Sequence, residues 1–326
     1  MNEGIVVNHK KNIEANNKLK KQHSIIGELK KDVKKNKWVY IMAIPVILYY
    51  LIFNYAPMYG ALIAFKEFDI GSGYAGSEWV GFKHFQDFFS SFYFWRLLKN
   101  TLTISILSLF WGFPAPIILA LLMNEIRKTW FKKTVQIVTY LPHFISIIVI
   151  SGLLHEFLAR DGFITDLLVN LGLPRTNLLG VPEYFSTIFI SSDIWQQVGW
   201  GSVLYLAALT GIDAEQYEAA VIDGAGKWKQ LIHVTIPGIL PTIIIMLILR
   251  MGQLMNVSFE KIILLYSPAT YDTADVISAF VYRKGLTESF EFSYTTAIGL
   301  FNSAINFLLL VISNYFSKKF SEQSLW

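Results

Sequence analysis

Long apolar segments constrain this chain more than any other feature of its sequence. A helix needs about 20 mostly apolar residues to cross the hydrocarbon core of a bilayer. Six segments are long enough, namely residues 38–58, 97–123, 135–154, 184–209, 237–257 and 296–316. The sequence therefore predicts an all-α membrane protein with six transmembrane helices. The third and fourth segments contain polar groups and prolines, so their ends are less sharply defined.

The charge of the chain is low and unevenly distributed. Of the 326 residues, 16% are charged, whereas soluble domains average about 25%. Residues 1–37 hold ten lysines and four acidic residues, a balance of +6, whereas the whole chain carries +4. The basic character therefore belongs to the tail and does not indicate nucleic-acid binding. The absence of cysteine excludes disulfides and thiolate metal sites.

The basic residues also predict which side of the membrane each loop faces, because short cytoplasmic flanks are enriched in lysine and arginine. The basic tail, the turn at 127–133 and Lys318 with Lys319 all fall on one side if six helices cross. Both termini are then cytoplasmic, together with residues 213–236. The outward loops are residues 60–96, 156–183 and 258–294.

Three regions follow from this arrangement. They are a cytoplasmic N-terminal tail over 1–37, a six-helix domain over 38–317 and a cytoplasmic C-terminal tail over 318–326. Ile26, Leu29 and Val33 recur at helical spacing in the N-terminal tail, which suits a helix on an anionic membrane surface. A disordered tail is the alternative for residues 1–22.

Residues 213–237 are a polar interruption between the fourth and fifth apolar segments. Asp213 is suited to cap a short helix, with Gln216 in the capping-box position. Gly224 suits the left-handed residue that ends this helix, and a second short helix with Trp228 on its apolar face follows. Pro237 fits the first turn of the next span. A loop that only joined two spans would not need this structure.

Short motifs of one family run along nearly the whole chain. Three lie in the polar interruption, namely Glu218-Ala219-Ala220, Asp223-Gly224-Ala225 and Val234-Thr235-Ile236-Pro237. The others are Trp79-Val80-Gly81, His84-Phe85, Asn100-Thr101-Leu102, Ala120-Leu121-Leu122-Met123-Asn124-Glu125, Tyr140-Leu141-Pro142-His143-Phe144 and Tyr282-Arg283-Lys284-Gly285-Leu286. Together they resemble the permease subunits of binding-protein-dependent ABC importers, and the first three resemble the EAA loop of that family. The resemblance is to the type I, or maltose-type, branch for complex oligosaccharides or polysaccharide fragments. Leu231 and Val234 depart mildly from its pattern.

This resemblance implies a MetI-like permease fold in the bacterial cytoplasmic membrane, with residues 213–236 as a coupling helix. The residues implied to dock on a cytoplasmic ATPase subunit are Glu218, Ala219, Ala220, Asp223, Gly224, Ala225 and Pro237. The implied partners are a second homologous permease, two ATPase subunits, an extracytoplasmic solute-binding protein, an oligosaccharide substrate and membrane lipid. ATP and Mg would bind to the partner ATPase subunits, and no cofactor would bind to this chain. The alternative is that these residues only cap and turn a loop.

The sequence offers no catalytic constellation of its own. Gly224-Ala225-Gly226-Lys227 resembles part of a phosphate loop, but Trp228 stands where Ser or Thr must hold magnesium. His155-Glu156 resembles the start of a zinc-protease motif, but Ala159 replaces the second histidine. We therefore expect a transport subunit that is not an enzyme.

Polar side chains in three apolar segments predict a substrate path, since such groups normally face a cavity or one another. The candidates are Asp193, Trp195, Gln196, Gln197 and Trp200 in the fourth segment, Arg250, Gln253 and Asn256 in the fifth, and Asn302 and Asn306 in the sixth. Amide, carboxylate and aromatic groups suit the hydroxyls and ring faces of a sugar. The alternative is hydrogen bonding between helices, and Asp193 could pair with Arg250. An unpaired Arg250 would favour acidic saccharides such as uronates.

Two other functions stay open at this point. An importer of another cargo, such as an amino acid, phosphate or metal, would carry the same coupling motif. A self-sufficient secondary carrier would need internal inverted repeats or an ion relay, and the sequence shows neither.

Overall fold

The computed structural model describes residues 31–321 and residue 324 and is mostly helical. The α-helices are α1 (Lys37–Tyr50), α2 (Gly73–Gly76), α3 (Lys83–Ser90), α4 (Phe94–Leu107), α5 (Pro114–Asn124), α6 (Thr129–Tyr140), α7 (Ile147–Leu158), α8 (Phe163–Asn170), α9 (Pro182–Thr210), α10 (Ala214–Ile222), α11 (Lys227–Gln230), α12 (Ile236–Met251), α13 (Phe259–Leu265), α14 (Tyr271–Ala274), α15 (Ile277–Tyr282) and α16 (Phe292–Ser321). Short π-helical segments lie at Leu51–Tyr55, Ser108–Gly112, Leu231–Thr235 and Arg283–Glu288. Segments of 3₁₀ helix lie at Ala56–Phe65, Leu141–Phe144, Leu178–Gly180 and Pro268–Thr270. The interfacial helix predicted in the N-terminal tail falls almost wholly outside the described residues.

One short ladder departs from the all-α prediction. β1 (Lys66–Glu67) pairs antiparallel with β2 (Glu78–Trp79), with Lys66 opposite Trp79. Lys83 closes the base of this hairpin through an ion pair with Glu67 at 2.8 Å. The hydrogen bond from Lys83 lowers the pKa of Glu67. Strands of two residues are too short to show the alternation that predicts a strand.

The described residues up to residue 62 form one compact unit, and those from residue 63 onward form another. In the described part of the first unit, α1 buries none of its side chains within the protein. Large apolar side chains such as Trp38, Ile47 and Phe53 are each more than half exposed. An apolar helix with this much uncovered surface is suited to lipid rather than to water.

Helix α9 runs through the core of the second unit. Phe189 and Ile190 in its first half belong to one cluster of buried apolar residues, to which α7, α13 and α15 also contribute. Tyr205 and Leu209 in its second half belong to another cluster, with residues of α5 and α12. One helix therefore connects both clusters and fixes the positions of the polar groups that it carries between them.

Four helical stretches in the described part of the chain are long and apolar enough to cross a membrane. They are Lys37–Phe65, Phe94–Asn124, Lys227–Met251 and Phe292–Lys319, and they coincide with the first, second, fifth and sixth predicted segments. A fifth is added if a bent pair of helices counts as one span. Helix α9 matches the fourth predicted segment as a continuous helix, but its polar residues leave it outside this set.

The third predicted segment is broken, which corrects the expectation of a continuous span over 135–154. The stretches Thr129–Phe144 and Ile147–Asn170 meet at a bend of 98°. Pro142 lies in the 3₁₀ turn that ends the first stretch, and Ile145 and Ser146 have extended backbone conformations. The Ser146 hydroxyl then caps α7 by accepting from the backbone N–H of Val149 at 3.3 Å. A new helix therefore starts within an apolar run.

The fifth predicted segment is also shorter than expected, because α12 ends at Met251 with Gly252 as its C-cap. Gln253 and Asn256 consequently lie beyond the end of the helix, whereas a continuous helix over 237–257 would have carried them together with Arg250. The turn is held from the side by Asn306, whose Oδ1 accepts from the backbone N–H of Met255 at 2.9 Å. The backbone N–H of Met255 therefore bonds to a side chain of α16 and not to a carbonyl within a continued α12.

A buried ion network fixes the last outward-predicted loop. Arg283 donates to both carboxylate oxygens of Asp275, at 3.0 and 2.8 Å, and Arg96 donates to the same carboxylate at 3.2 Å. Burial lowers the pKa of Arg283, but the bonds to Asp275 and Tyr266 outweigh it and hold the pKa above its usual value. The arginine therefore stays charged, and the motif that begins at Tyr282 is anchored to the start of α4.

Candidate functional site

The polar interruption at 213–237 folds as two short helices joined by a glycine turn. Asp213 caps α10, and its carboxylate accepts from the backbone N–H of Glu215 at 3.0 Å. Gln216 contributes through its backbone N–H, which donates to the Asp213 carbonyl at 3.2 Å. The predicted cap on the first helix is therefore present, with Glu215 as the partner of the carboxylate.

Gly224 ends α10 in the left-handed conformation that the sequence predicted, with φ of 74°. The backbone N–H of Ala225 donates to the Ala220 carbonyl at 2.8 Å, and that of Gly224 donates to the Val221 carbonyl at 3.0 Å. This pair of bonds is the Schellman arrangement, which satisfies carbonyls left open at a helix end. The turn therefore has a defined shape.

Side-chain bonds fasten the second short helix to the first. The Tyr217 hydroxyl lies 3.0 Å from the Thr235 hydroxyl, and Thr235 donates to the Gln230 carbonyl at 3.3 Å. Gln230 is buried and donates to the Ala225 carbonyl at 2.8 Å. Because these bonds link α10, the turn and the start of the following helical run, the segment can move as one piece.

The outer surface of this braced segment is uncovered. Ile222 and Trp228 are 85% and 77% exposed, and Glu218 and Ala219 are exposed beside them. Pro237 lies in the first turn of α12, after a π-turn that continues the helix from α11. Apolar side chains on a rigid and otherwise polar segment are typical of a protein-binding surface.

A cavity of about 450 Å³ lies along the polar face of α9. Its lining includes Asp193, Gln196, Gln197 and Trp200 of α9 together with Arg250 of α12. The structure therefore brings together five of the predicted path residues. A second, smaller cavity of about 120 Å³ also touches Asp193 and Arg250 and adds Gln253 and Asn256.

Two of the predicted amides already have partners within the chain. Gln196 is 6% exposed and donates to the Ile145 carbonyl at 3.3 Å, so it ties α9 to the break in the third segment. The Oε1 of Gln197 lies 2.9 Å from Nδ1 of His143. The His143 ring stacks on Trp200 with centroids 4.8 Å apart and an angle of 4°.

His143 is a site residue that the sequence reasoning did not select. It lies in the motif from Tyr140 to Phe144, which was used only to recognise the family resemblance. It contacts two residues that line the larger cavity, Gln197 through the hydrogen bond and Trp200 through ring stacking, and so fixes an amide and a flat indole at that wall. Such a combination suits the apolar face and the hydroxyls of a sugar ring.

The structure does not bear out the alternative in which Asp193 pairs with Arg250. Asp193 instead pairs with Lys261 of α13, at 3.7 Å. The Lys261 side chain is 1% exposed, and its ammonium group lies 5.1 Å from the centre of the Phe189 ring. Burial lowers the pKa of Lys261, an effect that the neighbouring Asp193 carboxylate opposes. Sequence reasoning missed this lysine because it lies in a loop outside the apolar segments.

The asparagines of the sixth segment support the cavity wall from behind. Asn302 and Asn306 are both buried, and each donates to Oδ1 of Asn256 at 3.0 Å. Asn256 is exposed and lines the smaller cavity. The two buried residues therefore hold Asn256 in place. For Asn302 and Asn306 the structure thus shows the alternative considered above, hydrogen bonding within the protein, in place of direct exposure to a path.

Trp195 lies apart from the other candidates. It lines a cavity of about 540 Å³ whose other walls are largely apolar, including Leu153, Phe157 and Ile188. This position is on the opposite side of α9 from Gln197, as the two-residue offset requires. The structure therefore does not group Trp195 with the polar path.

Comparisons with known proteins agree on one family. Residues 112–322 match the family described as binding-protein-dependent transport system inner membrane component. Protein LplB of Bacillus subtilis (strain 168) is 43% identical over 90% of this chain and 92% of its own length. The polygalacturonan/rhamnogalacturonan transport system permease protein YteP of the same organism is 41% identical over 90% and 91%.

Solved structures give the same result for the fold. A chain in the crystal structure of a bacterial ABC transporter involved in the import of the acidic polysaccharide alginate matches with a TM-score of 0.83 and 43% identity. The match covers 90% of this chain and 99% of that one. The structure of bacterial alginate ABC transporter in complex with alginate pentasaccharide-bound periplasmic protein matches with the same TM-score and 42% identity.

Proposed function

Because this chain belongs to the family of binding-protein-dependent transport system inner membrane components, we propose that it is a permease subunit of an ATP-driven importer of oligosaccharides or polysaccharide fragments. It crosses the bacterial cytoplasmic membrane six times, with α9 and the bent third segment among the crossings and both termini in the cytoplasm. The chain binds no cofactor. ATP and Mg bind to two partner ATPase subunits, and a second homologous permease completes the path.

The braced segment at 213–237 is the point at which the ATPase subunits drive the permease. Its support is the combination of a rigid scaffold with uncovered Ile222, Trp228 and Glu218. Closure of the ATPase subunits moves the segment, and the continuous run Lys227–Met251 carries this movement into the membrane. Lys227 adds a link to the end of the second span through its 3.2 Å ion pair with Glu125.

The observation that carries the saccharide assignment is the wall of the larger cavity. Gln197 offers an amide and Trp200 offers a flat ring within a cavity of about 450 Å³, and His143 holds both in place. An extracytoplasmic solute-binding protein delivers the sugar to this cavity from outside. The relatives named for polygalacturonan or rhamnogalacturonan transport and for alginate import support the same class of cargo.

The test is ATP-driven uptake by the complete complex. The tagged chain is isolated with its natural partners, reconstituted in vesicles and supplied with the solute-binding protein and a panel of saccharides. Gln197→Ala should lower uptake about tenfold or more, because a lost hydrogen bond costs about 1 kcal/mol and the partner left unpaired costs about 1–3 kcal/mol more. Gln253→Ala should have a smaller effect in the same direction.

Gln136→Ala is the matched control, since Gln136 lines neither polar cavity. It should leave uptake at the wild-type value. Unchanged uptake kinetics in both Gln197→Ala and Gln253→Ala, within complexes of normal composition, would remove the cavity assignment. Failure to recover any ATPase subunit with the chain would contradict the importer itself.

A further inference from the structure

The charges around the two polar cavities do not cancel. Asp193 and Arg250 line both of them, and Lys261 lies directly behind Asp193. The remaining polar groups of the path, such as Gln197 and Asn256, are neutral amides. The net charge that the wall presents to the cavities therefore depends on which of the two cations, Arg250 or Lys261, is paired with the Asp193 carboxylate.

Lys261 is the cation that balances it. The Lys261 ammonium group is 3.7 Å from the Asp193 carboxylate and 3.5 Å from the Phe189 carbonyl oxygen, and its side chain is 1% exposed. It lines neither polar cavity. Asp193 thus reaches the cavity with its charge already neutralised by a group behind the wall.

Arg250 is left without a counter-charge. In the part of the chain that the structure describes, its guanidinium group makes no hydrogen bond and no ion pair, and its side chain is exposed. A charged side chain within a span is costly unless a cavity, water or an opposite charge receives it. The wall of the two cavities therefore carries one positive charge that no described carboxylate balances.

We propose that Arg250 binds the carboxylate of an acidic saccharide, and that the buried Lys261–Asp193 pair keeps the cavity positive so that it can do so. This inference rests on the proposed function and names the class of its cargo: oligosaccharides that contain uronate residues. A guanidinium group matches a carboxylate with two parallel N–H···O bonds. The neutral amides around it bind hydroxyls of either kind of sugar and do not discriminate.

The test compares acidic and neutral forms of the same sugar. The probes are trisaccharides of galacturonate, mannuronate and guluronate and their methyl esters, in which a methyl group replaces the negative charge of each carboxylate. Uptake into vesicles is measured with the complete complex and one solute-binding protein throughout. Because that protein is the same for every variant, a change in the acidic-to-neutral ratio reports on the permease.

Arg250→Gln should lower the acidic-to-neutral uptake ratio about tenfold, the size expected when a hydrogen bond to a charged group is lost. Arg250→Lys keeps the charge without the two-pronged geometry and should fall between Arg250→Gln and the wild type. Arg127→Gln, the same chemical change outside both cavities, is the control and should leave the ratio at the wild-type value.

Lys261→Met tests the role of the buried pair. It leaves the Asp193 carboxylate uncompensated beside Arg250, so the ratio should fall although no cavity-lining group has changed. Combining Lys261→Met with Asp193→Asn removes both charges and should restore the ratio toward its wild-type value. A purely structural role for the pair predicts instead that the double variant is at least as impaired as the single one.

Each outcome bears on a different statement. An unchanged acidic-to-neutral uptake ratio in Arg250→Gln overturns the role of Arg250, whether or not the partner permease is still recovered with the chain. Reduced recovery of that permease would show that Arg250 pairs with it instead. Import of neutral forms alone by the wild type also overturns the acidic cargo while leaving the proposed function intact. Import of no saccharide at all would count against the proposed function itself.

Discussion

Gly224 occupies a position in which the backbone, and not a neighbouring atom, decides which residues are allowed. Its φ of 74° lies in the left-handed region, and a Cβ added there would meet no atom within 4 Å. The Schellman bonds of Gly224 and Ala225 depend on that conformation. A substitution should therefore act through the shape of the turn, and so through the surface around Trp228 that the turn positions.

Gly224→Ala and Gly224→Asn separate this backbone effect from added bulk. An L-residue in the left-handed region costs about 1–2 kcal/mol, whereas asparagine visits it more readily. Gly224→Ala should lower ATP-driven uptake about 5- to 30-fold if that cost falls on the coupled state, and Gly224→Asn should lower it less. Uptake per recovered ATPase subunit measures the effect. Equal losses in the two variants would contradict the backbone explanation.

Residue-scale features were predictable where their cause is local. Asp213 and Gly224 are both recognisable from neighbours within a few residues, and both adopt the predicted conformation. His143 meets a partner 54 residues further along the chain, and Lys261 meets Asp193 from a different helix. Contacts of this kind depend on the tertiary packing of α9, which no local pattern contains.

Helices were predictable as elements, but some of their ends were not. Composition alone marks 135–154 as a span, because a change of direction does not require polar residues. The bend instead depends on Pro142 and on the Ser146 cap, and the end of α12 depends on Gly252 and on the hydrogen bond that Asn306 accepts from the backbone of Met255. A local break within an apolar run therefore left little trace in the hydropathy pattern.

The crossing of α9 over the end of α6 makes Gly199 an element-scale test. A methyl group at Gly199 would collide with the carbonyl oxygen of Thr139, so the two helices approach at backbone distance. Gly199→Ala should destabilise the protein by about 1–3 kcal/mol, as overpacking does. Thermal unfolding in detergent should show a lower midpoint temperature.

Gly299→Ala is the matched control for this contact. A Cβ at Gly299 in α16 would meet no atom within 4 Å. Alanine favours a helix interior over glycine by about 0.5–1 kcal/mol, so the midpoint should stay the same or rise. A lower midpoint in both variants would show that the loss comes from replacing a helical glycine and not from the approach of α9 to α6.

At the scale of the whole molecule, the number of crossings depends on two helices that composition treats as ambiguous. Helix α9 has 29 residues, a length of about 44 Å at 1.5 Å per residue, which exceeds a hydrocarbon core of about 30 Å. Its polar residues line cavities instead of facing lipid. The bent third segment matters as much, because residues 213–237 lie on the same side as the N-terminus if both α9 and the bent segment cross, and on the opposite side if only one of them does.

The natural absence of cysteine makes this topology directly measurable. Single substitutions Ser72→Cys, Asn170→Cys and Ser289→Cys place a thiol in each outward-predicted loop, and Thr129→Cys and Gln216→Cys place one on the side predicted to be cytoplasmic. All five positions are exposed. A membrane-impermeant maleimide added to intact cells should label the first three, and the other two only after the membrane is opened. If the bent segment returned to its starting side, Asn170→Cys would be protected and Gln216→Cys would react from outside, and the braced segment at 213–237 would face away from the cytoplasmic ATPase subunits that we propose as its partners.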